Sequence, residues 1–180
     1  MSAIIQESPA SPAETLVQEN GLSQAQVSGS MQLVSFKLSD ETYGIEITKI
    51  REIILVGEIT QVPETPHFIR GLINLRSSVI PVIDLRARFS LPENGLNEES
   101  RIMVLNVGTR TIGIIVDSVS EVLRVSDDQI SPAPPTVASL DHEYMTGLVR
   151  LEDRLLILLD VDKLFGEEQT NAMESAVTHA

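Results

Sequence analysis

The segment GLINLRSSVIPVIDLRARF, residues 71 to 89, recurs at 147 to 165 as GLVRLEDRLLILLDVDKLF, with the apolar positions aligned and several charges reversed. A chain that repeats a hydrophobic frame has to fold that frame twice, which limits its architecture more than any single motif does. The repeat also extends upstream. QLVSFKLSDETYGIEITKIREII (32 to 54) lies over RIMVLNVGTRTIGIIVDSVSEVL (101 to 123) at a constant offset of 69, pairing Gly44 with Gly113, Ile45 with Ile114 and Glu52 with Glu121. After an interval seven residues longer in the second copy, the frame resumes at an offset of 76. There Phe68 meets Tyr144, Gly71 meets Gly147, Asp84 meets Asp160 and Phe89 meets Phe165. Two copies of about 65 residues are too few and too long for a solenoid. The pattern predicts two similar small units, over about 31–90 and 100–165, packed against each other.

Each copy reads as β-rich: a strand, a turn carrying glycine, a second strand, a short turn or helix, then further strands of Ile, Val and Leu. In MQLVSFKL, Val34, Phe36 and Leu38 alternate with Ser35 and Lys37, the period-two pattern of a half-buried strand. VIPVIDL and LLILLDV are unbroken apolar runs, expected where both faces of a strand are covered, and a sheet curled into a small barrel supplies that cover. Asp84 and Asp160 each stand where a side-chain oxygen would cap a short helix. SLPENGLNEES is expected to link the copies, and SPAPPTVASLD to fill the seven-residue extension. Residues 1–30, rich in Ser, Ala, Gln, Glu and Pro, are expected to form a disordered leader, and 169–180 a C-terminal tail.

Composition narrows the function. The net charge is −13, and each end contributes three Glu with no Lys or Arg, over residues 1–30 and 166–180. An acidic body repels phosphate backbones and anionic lipid, which argues against nucleic acid and membrane surfaces as partners. There is no cysteine, no secretory leader pattern and no apolar run near the ~20 residues that span a bilayer, so a cytoplasmic location is expected. No phosphate-binding glycine motif occurs, and the three histidines have no ligand spacing, so neither cofactor nor metal is expected. The one enzymatic alternative is a hydrolase in which Asp84 and Asp160, on pseudo-symmetric lobes, share a proton. Ordinary helix capping explains the same pair more simply.

The first copy concentrates cations. Residues 70 to 88 hold Arg70, Arg76, Arg86 and Arg88 against the single acid Asp84. Arg86 and Arg88 read as the solvated face of a short helix. Asn74 and Arg76 fall on one face of a strand whose other face is apolar. Glu52 and Glu121 precede Ile53 and Val122, and apolar residues there could form a seam between the copies suited to a bound helix.

From Gln32 to about Glu168 the chain resembles the CheW family of bacterial chemotaxis coupling proteins. QLVSFKLSDETYGIEITKIREI, VPETPHFIRGLINLRSSVIPVIDLRARF, RTIGIIVDSVSEVL and PAPPTVASLDHEYMTGLVRLEDRLLILLDVDKLF carry the likeness. The resemblance implies a mainly β fold over 31–168: two intertwined five-stranded SH3-like β-barrel subdomains with a few short helices, exchanging terminal strands. It also implies a non-catalytic adaptor of a two-component system, recruited to membrane-associated receptor arrays. Such an adaptor bridges the cytoplasmic hairpin tip of a methyl-accepting chemoreceptor to the regulatory domain of the histidine kinase CheA. Carried over by position, a receptor-binding groove would comprise Ile50, Glu52, Ile53, Asn74, Arg76 and Val122, with Glu52 holding Arg76, and the kinase-facing edge falls at Gly71 and Gly147. Ser77 and Ser90 stand where the family pattern has glycine.

Overall fold

The structure, a computed structural model, describes residues 29–134 and 143–166. The expected leader up to Ser28, the tail and residues 135–142 of the proline-rich extension lie outside the described residues. The first copy supplies β1 (Ser30–Leu38), β2 (Glu41–Glu46), a 3-10 turn (Ile47–Lys49), β3 (Ile50–Leu55), β4 (Ile69–Leu75), β5 (Ser78–Asp84) and α1 (Leu85–Arg88). The second supplies β6 (Arg101–Val107), β7 (Arg110–Val116), β8 (Ser118–Ser126), β9 (Ile130–Pro132), β10 (Met145–Arg150), β11 (Leu155–Leu159) and α2 (Val161–Leu164).

Two sheets form, in the orders β9-β10-β11-β2-β1-β8 and β3-β6-β7-β5-β4. Each draws on both copies. The N-terminal hairpin of one copy joins the three later strands of the other, so β11 runs parallel to β2 and β5 runs parallel to β7. Leu158 lies opposite Gly44 and Val82 opposite Gly113, so the 69- and 76-residue offsets superpose one register on the other. Bulges repeat as well: β3 slips at Arg51 and β8 at Ser120, while β4 slips at Arg70 and β10 at Thr146. The fold is therefore a pair of SH3-like barrels related by an approximate twofold, with β9 as a sixth strand that the other barrel matches only by an isolated bridge, Thr60 to Leu72.

The apolar runs become the covered strands that their composition predicts. Ile80, Val82 and Ile83 of β5 and Leu156, Leu158 and Leu159 of β11 are buried. Pro81 is tolerated because its partner Leu72 lies on β4, while the parallel ladder with β7 begins only at Val82. Each barrel has a small interior, one around Ile73, Val82, Ile102 and Val104, the other around Leu33, Val125, Val149 and Leu156. The largest core lies between them, where Phe36, Tyr43 and Ile45 of one sheet meet Ile69, Ile83 and Met103 of the other. Rings run through it: Phe36 stacks on Tyr43, Tyr43 meets Phe89, and Phe89 stacks on Tyr144 at a centroid distance of 5.2 Å. Because the main core is shared, neither barrel has a complete hydrophobic face alone.

Three local expectations need correction. Ser35, assigned to a wet face, is fully buried, because β8 covers it at the bulge. There its hydroxyl donates to Glu121 O (3.1 Å) and accepts from Glu121 N (3.3 Å). Arg86 and Arg88 are not a solvated helix face either. Arg86 donates to Asp117 and, through Nε, to Pro92 O (3.0 Å). Arg88 lies over the Phe68 and Tyr144 rings and donates to Leu164 O, so both arginines stitch the barrel junction. Arg76 is not in a strand beside Asn74. It occupies the turn after β4, with φ +51°.

Candidate interaction site

The end strands of an SH3-like sheet have to be brought together for the barrel to close. In the β3-to-β4 barrel a clasp spans that gap. The bulge at Arg51 re-aims the next residue, so Glu52 points to the turn after β4 and accepts two hydrogen bonds from Arg76. One comes from Nη1 to Oε2, the other from Nη2 to Oε1 at 2.9 Å. The fork fixes the guanidinium plane as well as its position. The two side chains differ in exposure: Glu52 retains 20% of its surface in water and Arg76 66%. Arg76 is thus anchored at the barrel and presented outward. Its hydrogen bonds hold the Glu52 carboxyl below the ordinary carboxylate range, and the same contact raises the Arg76 guanidinium.

The clasp is duplicated, which the sequence comparison missed. Glu121, aligned with Glu52, accepts from Arg154 Nη2 at 3.3 Å. At the 76-residue offset Arg76 aligns with Glu152, a charge reversal with no cation at the aligned position. Arg154 lies two residues further on, across the same turn. The findable signal was an arginine within one turn of the aligned position, beside the aligned glutamate.

Around the first clasp Asn74 is exposed on β4, and Ile53 is exposed on β3. Val122, the counterpart of Ile53, is exposed on β8, at the edge of the other sheet. Leu55, Val79 and Leu155 add exposed apolar surface. Ile50 differs from these: it is half-buried and packs on the shared core, so it supports β3 from behind. Gly71 and Gly147 are buried points of close approach. A Cβ on Gly71 would stand 2.2 Å from Thr60 O, and one on Gly147 would stand 3.0 Å from Ser131 O. Packing alone accounts for both glycines.

Asp84 and Asp160 are each occupied where they stand. Asp84 Oδ1 accepts from Arg86 N (3.1 Å) and its Oδ2 from Arg70 Nη1 (3.1 Å). Asp160 Oδ1 accepts from Asp162 N (2.9 Å) and Lys163 N (3.2 Å). Both are helix caps, as their position in sequence predicts. Among the described residues no group of three or more His, Cys, Asp or Glu is placed to hold a metal ion, and no helix is long and apolar enough to cross a membrane.

Residues 32–169 match the CheW-like domain family. The chain belongs to that family. It is 43% identical over 138 residues to the chemotaxis protein CheW of Klebsiella aerogenes, spanning 77% of this chain and 83% of the relative. It is 37% identical over 142 residues to the chemotaxis protein CheW of Treponema pallidum, spanning 77% and 84% respectively. Among solved structures, the scaffolding protein TtCheW of Thermoanaerobacter tengcongensis superposes with a TM-score of 0.71 at 37% identity, covering 77% of this chain and 94% of that one. The family is one of chemotaxis scaffolds, and the twin-barrel fold agrees with membership.

Proposed function

We propose that this chain is a non-catalytic coupling scaffold that joins the cytoplasmic hairpin tip of a chemoreceptor to the regulatory domain of CheA, and so places the kinase under receptor control. The observation that carries the reading is the anchored, outward-facing Arg76, on the barrel that exposes Ile53, with Val122 exposed at the matching position of the other barrel. A receptor tip is helical and amphipathic, and exposed apolar side chains on two adjoining barrels suit such a ligand. Apolar side chains supply contact area there, while a fixed guanidinium sets orientation. In this reading Glu52 positions Arg76, Asn74 flanks it, and Ile50 keeps β3 in place.

The proposal places the protein in the cytoplasm, recruited to receptor arrays by its partners. Hydrolysis by Asp84 and Asp160 has no observation in its favour, since both carboxylates are engaged in helix caps. The test is assembly: purified protein, a receptor cytoplasmic fragment and the CheA regulatory domain are mixed and sized. A ternary complex that forms with the wild type and is lost with Ile53→Asp plus Val122→Asp is the expected result. A ternary complex unchanged by that double substitution would reject the groove, and no complex with the wild type would reject the coupling role.

A further inference from the structure

The approximate twofold repeats the barrel junction, and with it a cleft beside each short helix. One cleft, of about 180 Å³, lies by α1, where Asp84 and Arg86 face Ile115 and Asp117 at the end of β7. The other, of about 310 Å³, lies by α2, where Asp160 and Asp162 face the end of β2 and the 3-10 turn after it. Aligned residues line both. Arg70 matches Thr146, Asp84 matches Asp160 and Arg86 matches Asp162 at the 76-residue offset, and Glu46 matches Ile115 at the 69-residue offset.

The clefts differ in their cover. Leu91 and Leu96 of the linker between the copies wall the α1 cleft, and Leu91 also packs on the shared core. Leu91 N donates to Arg86 O (2.8 Å) and Arg86 Nε donates to Pro92 O (3.0 Å), so the linker is drawn back over the helix. The larger α2 cleft has an apolar lining of Met31, Leu158, Leu159 and Val161 but, among the described residues, no segment in the linker's place. The linker runs from α1 to β6. On the α2 side the matching path has two candidate sources, the segment that follows α2 and the segment that precedes β1.

Charge and backbone disfavour the first. Where α1 has Arg86 to hold the linker, α2 has Asp162, and Glu167 and Glu168 would meet Asp160 and Asp162 as like charges. The chain also leaves the two helices differently, with ψ 6° at Phe89 and 66° at Phe165. The second source matches. At the 69-residue offset that aligns β1 with β6, GLSQAQVS (21–28) lies over SLPENGLN (90–97), which pairs Leu22 with Leu91 and Val27 with Leu96. Residues 20–28 carry no charge, which suits a rim where Glu46, Asp160 and Asp162 outnumber Lys49. We propose that the end of the leader docks in the α2 cleft, with Leu22 and Val27 in the places that Leu91 and Leu96 hold in the twin. β1 pairs with β8 out to Ser30, and Met31 lines the cleft, so the leader departs from its rim. The repeat thus includes a cover for each barrel junction, supplied once by the linker and once by the leader.

The chain has no cysteine, so a single introduced thiol reports the cover. Thr146 lines the cleft and its side chain is open to solvent in the described residues. The full chain carrying Thr146→Cys is alkylated with iodoacetamide, and the rate is compared with that of the same chain carrying Leu22→Asp and Val27→Asp. The two aspartates should raise the rate about tenfold, the size expected when two partly buried aliphatic side chains are lost, net of the entropy of ordering the segment. Leu22→Met with Val27→Ile keeps the apolar contacts and should keep the slow rate, as should truncation after Glu168. Four outcomes overturn the proposal. They are a rate unchanged by the two aspartates, a rate raised equally by the apolar pair, a rise on truncation of the tail, which would give the cleft to that segment, and protection that grows with protein concentration, which would give it to a second copy.

Discussion

In one barrel an acid and an arginine meet through a two-pronged hydrogen bond, with the acid mostly covered. In its twin the aligned acid makes a single 3.3 Å contact, and its arginine also touches Asp153 at 3.2 Å. Glu121 is also more open than Glu52, with 52% of its side-chain surface in water against 20%. An exposed, divided ion pair contributes little, because solvent screens it and side-chain entropy opposes it. The twins thus show that closing a barrel does not require a strong clasp. On the proposed function, the better-built one at Arg76 serves what it presents more than what it holds shut.

The comparison breaks most easily at the glycines that let each barrel's edge segment approach. Gly71 has φ +152°, and an added Cβ would fall on the Thr60 carbonyl. Gly147 has ordinary backbone and a 3.0 Å neighbour that needs to yield only a few tenths of an ångström. Gly71→Ala should therefore cost about 3 kcal/mol or more, combining strain with a backbone collision, and Gly147→Ala about 1 kcal/mol. Thermal unfolding of the two variants checks the order. Equal losses would mean that the barrels are more alike than their backbones indicate.

A smaller effect should separate stability from coupling. Arg76→Ala should leave the melting temperature within about 2 °C of wild type, since a largely exposed pair is lost, but weaken ternary assembly at least about tenfold if the anchored guanidinium contributes a charged hydrogen bond to the partner. Arg154→Ala should change neither. Sizing and calorimetry on the same preparations make the comparison, and equal effects on assembly would remove the special standing of Arg76.

Much of this frame could be read from the residues because period and repeat report on burial. The strands of Val34 to Leu38 and Val79 to Ile83, the caps at Asp84 and Asp160 and the pairing of Glu52 with Arg76 follow from pattern, capping chemistry and family likeness. What the sequence withheld depends on which copy covers which. Ser35 is buried only because β8 of the other copy lies over it, and Arg86 and Arg88 turn inward only because the barrel junction arrives there. Strict position matching also hid Arg154, since a turn can supply the same charge from two residues away.

The first clasp should also depend on pH. The folded Glu52 carboxyl titrates below its unfolded value because Arg76 binds the charged form. Its contribution is therefore present above the unfolded carboxylate pKa, near 4.5, and disappears as pH falls through the lower folded value. Arg76 stays charged throughout that range. The melting-temperature difference between wild type and Glu52→Gln should be small and constant near neutrality and should close below about pH 4. A difference that persists in acid would assign the effect of Glu52→Gln to packing.

The smallest expected change lies in the turn itself. Arg76 and Ser77 both have positive φ, +51° and +72°, and they form a two-residue hairpin turn between Leu75 and Ser78. That geometry is a type I′ turn, which favours glycine and taxes any residue with a Cβ. The twin avoids the problem: Leu151 N donates to Arg154 O (2.9 Å) across Glu152 and Asp153, and neither of those residues has positive φ. Ser77→Gly should accordingly stabilise the fold by about 0.5–1 kcal/mol, a rise of about 2 °C in melting temperature, whereas Asp153→Gly should bring no gain. Assembly measured on the same variant gives the result its meaning. If Ser77→Gly is more stable and couples as well as wild type, the strain is incidental; if it is more stable but couples less, the strained turn is what holds Arg76 in its presented orientation.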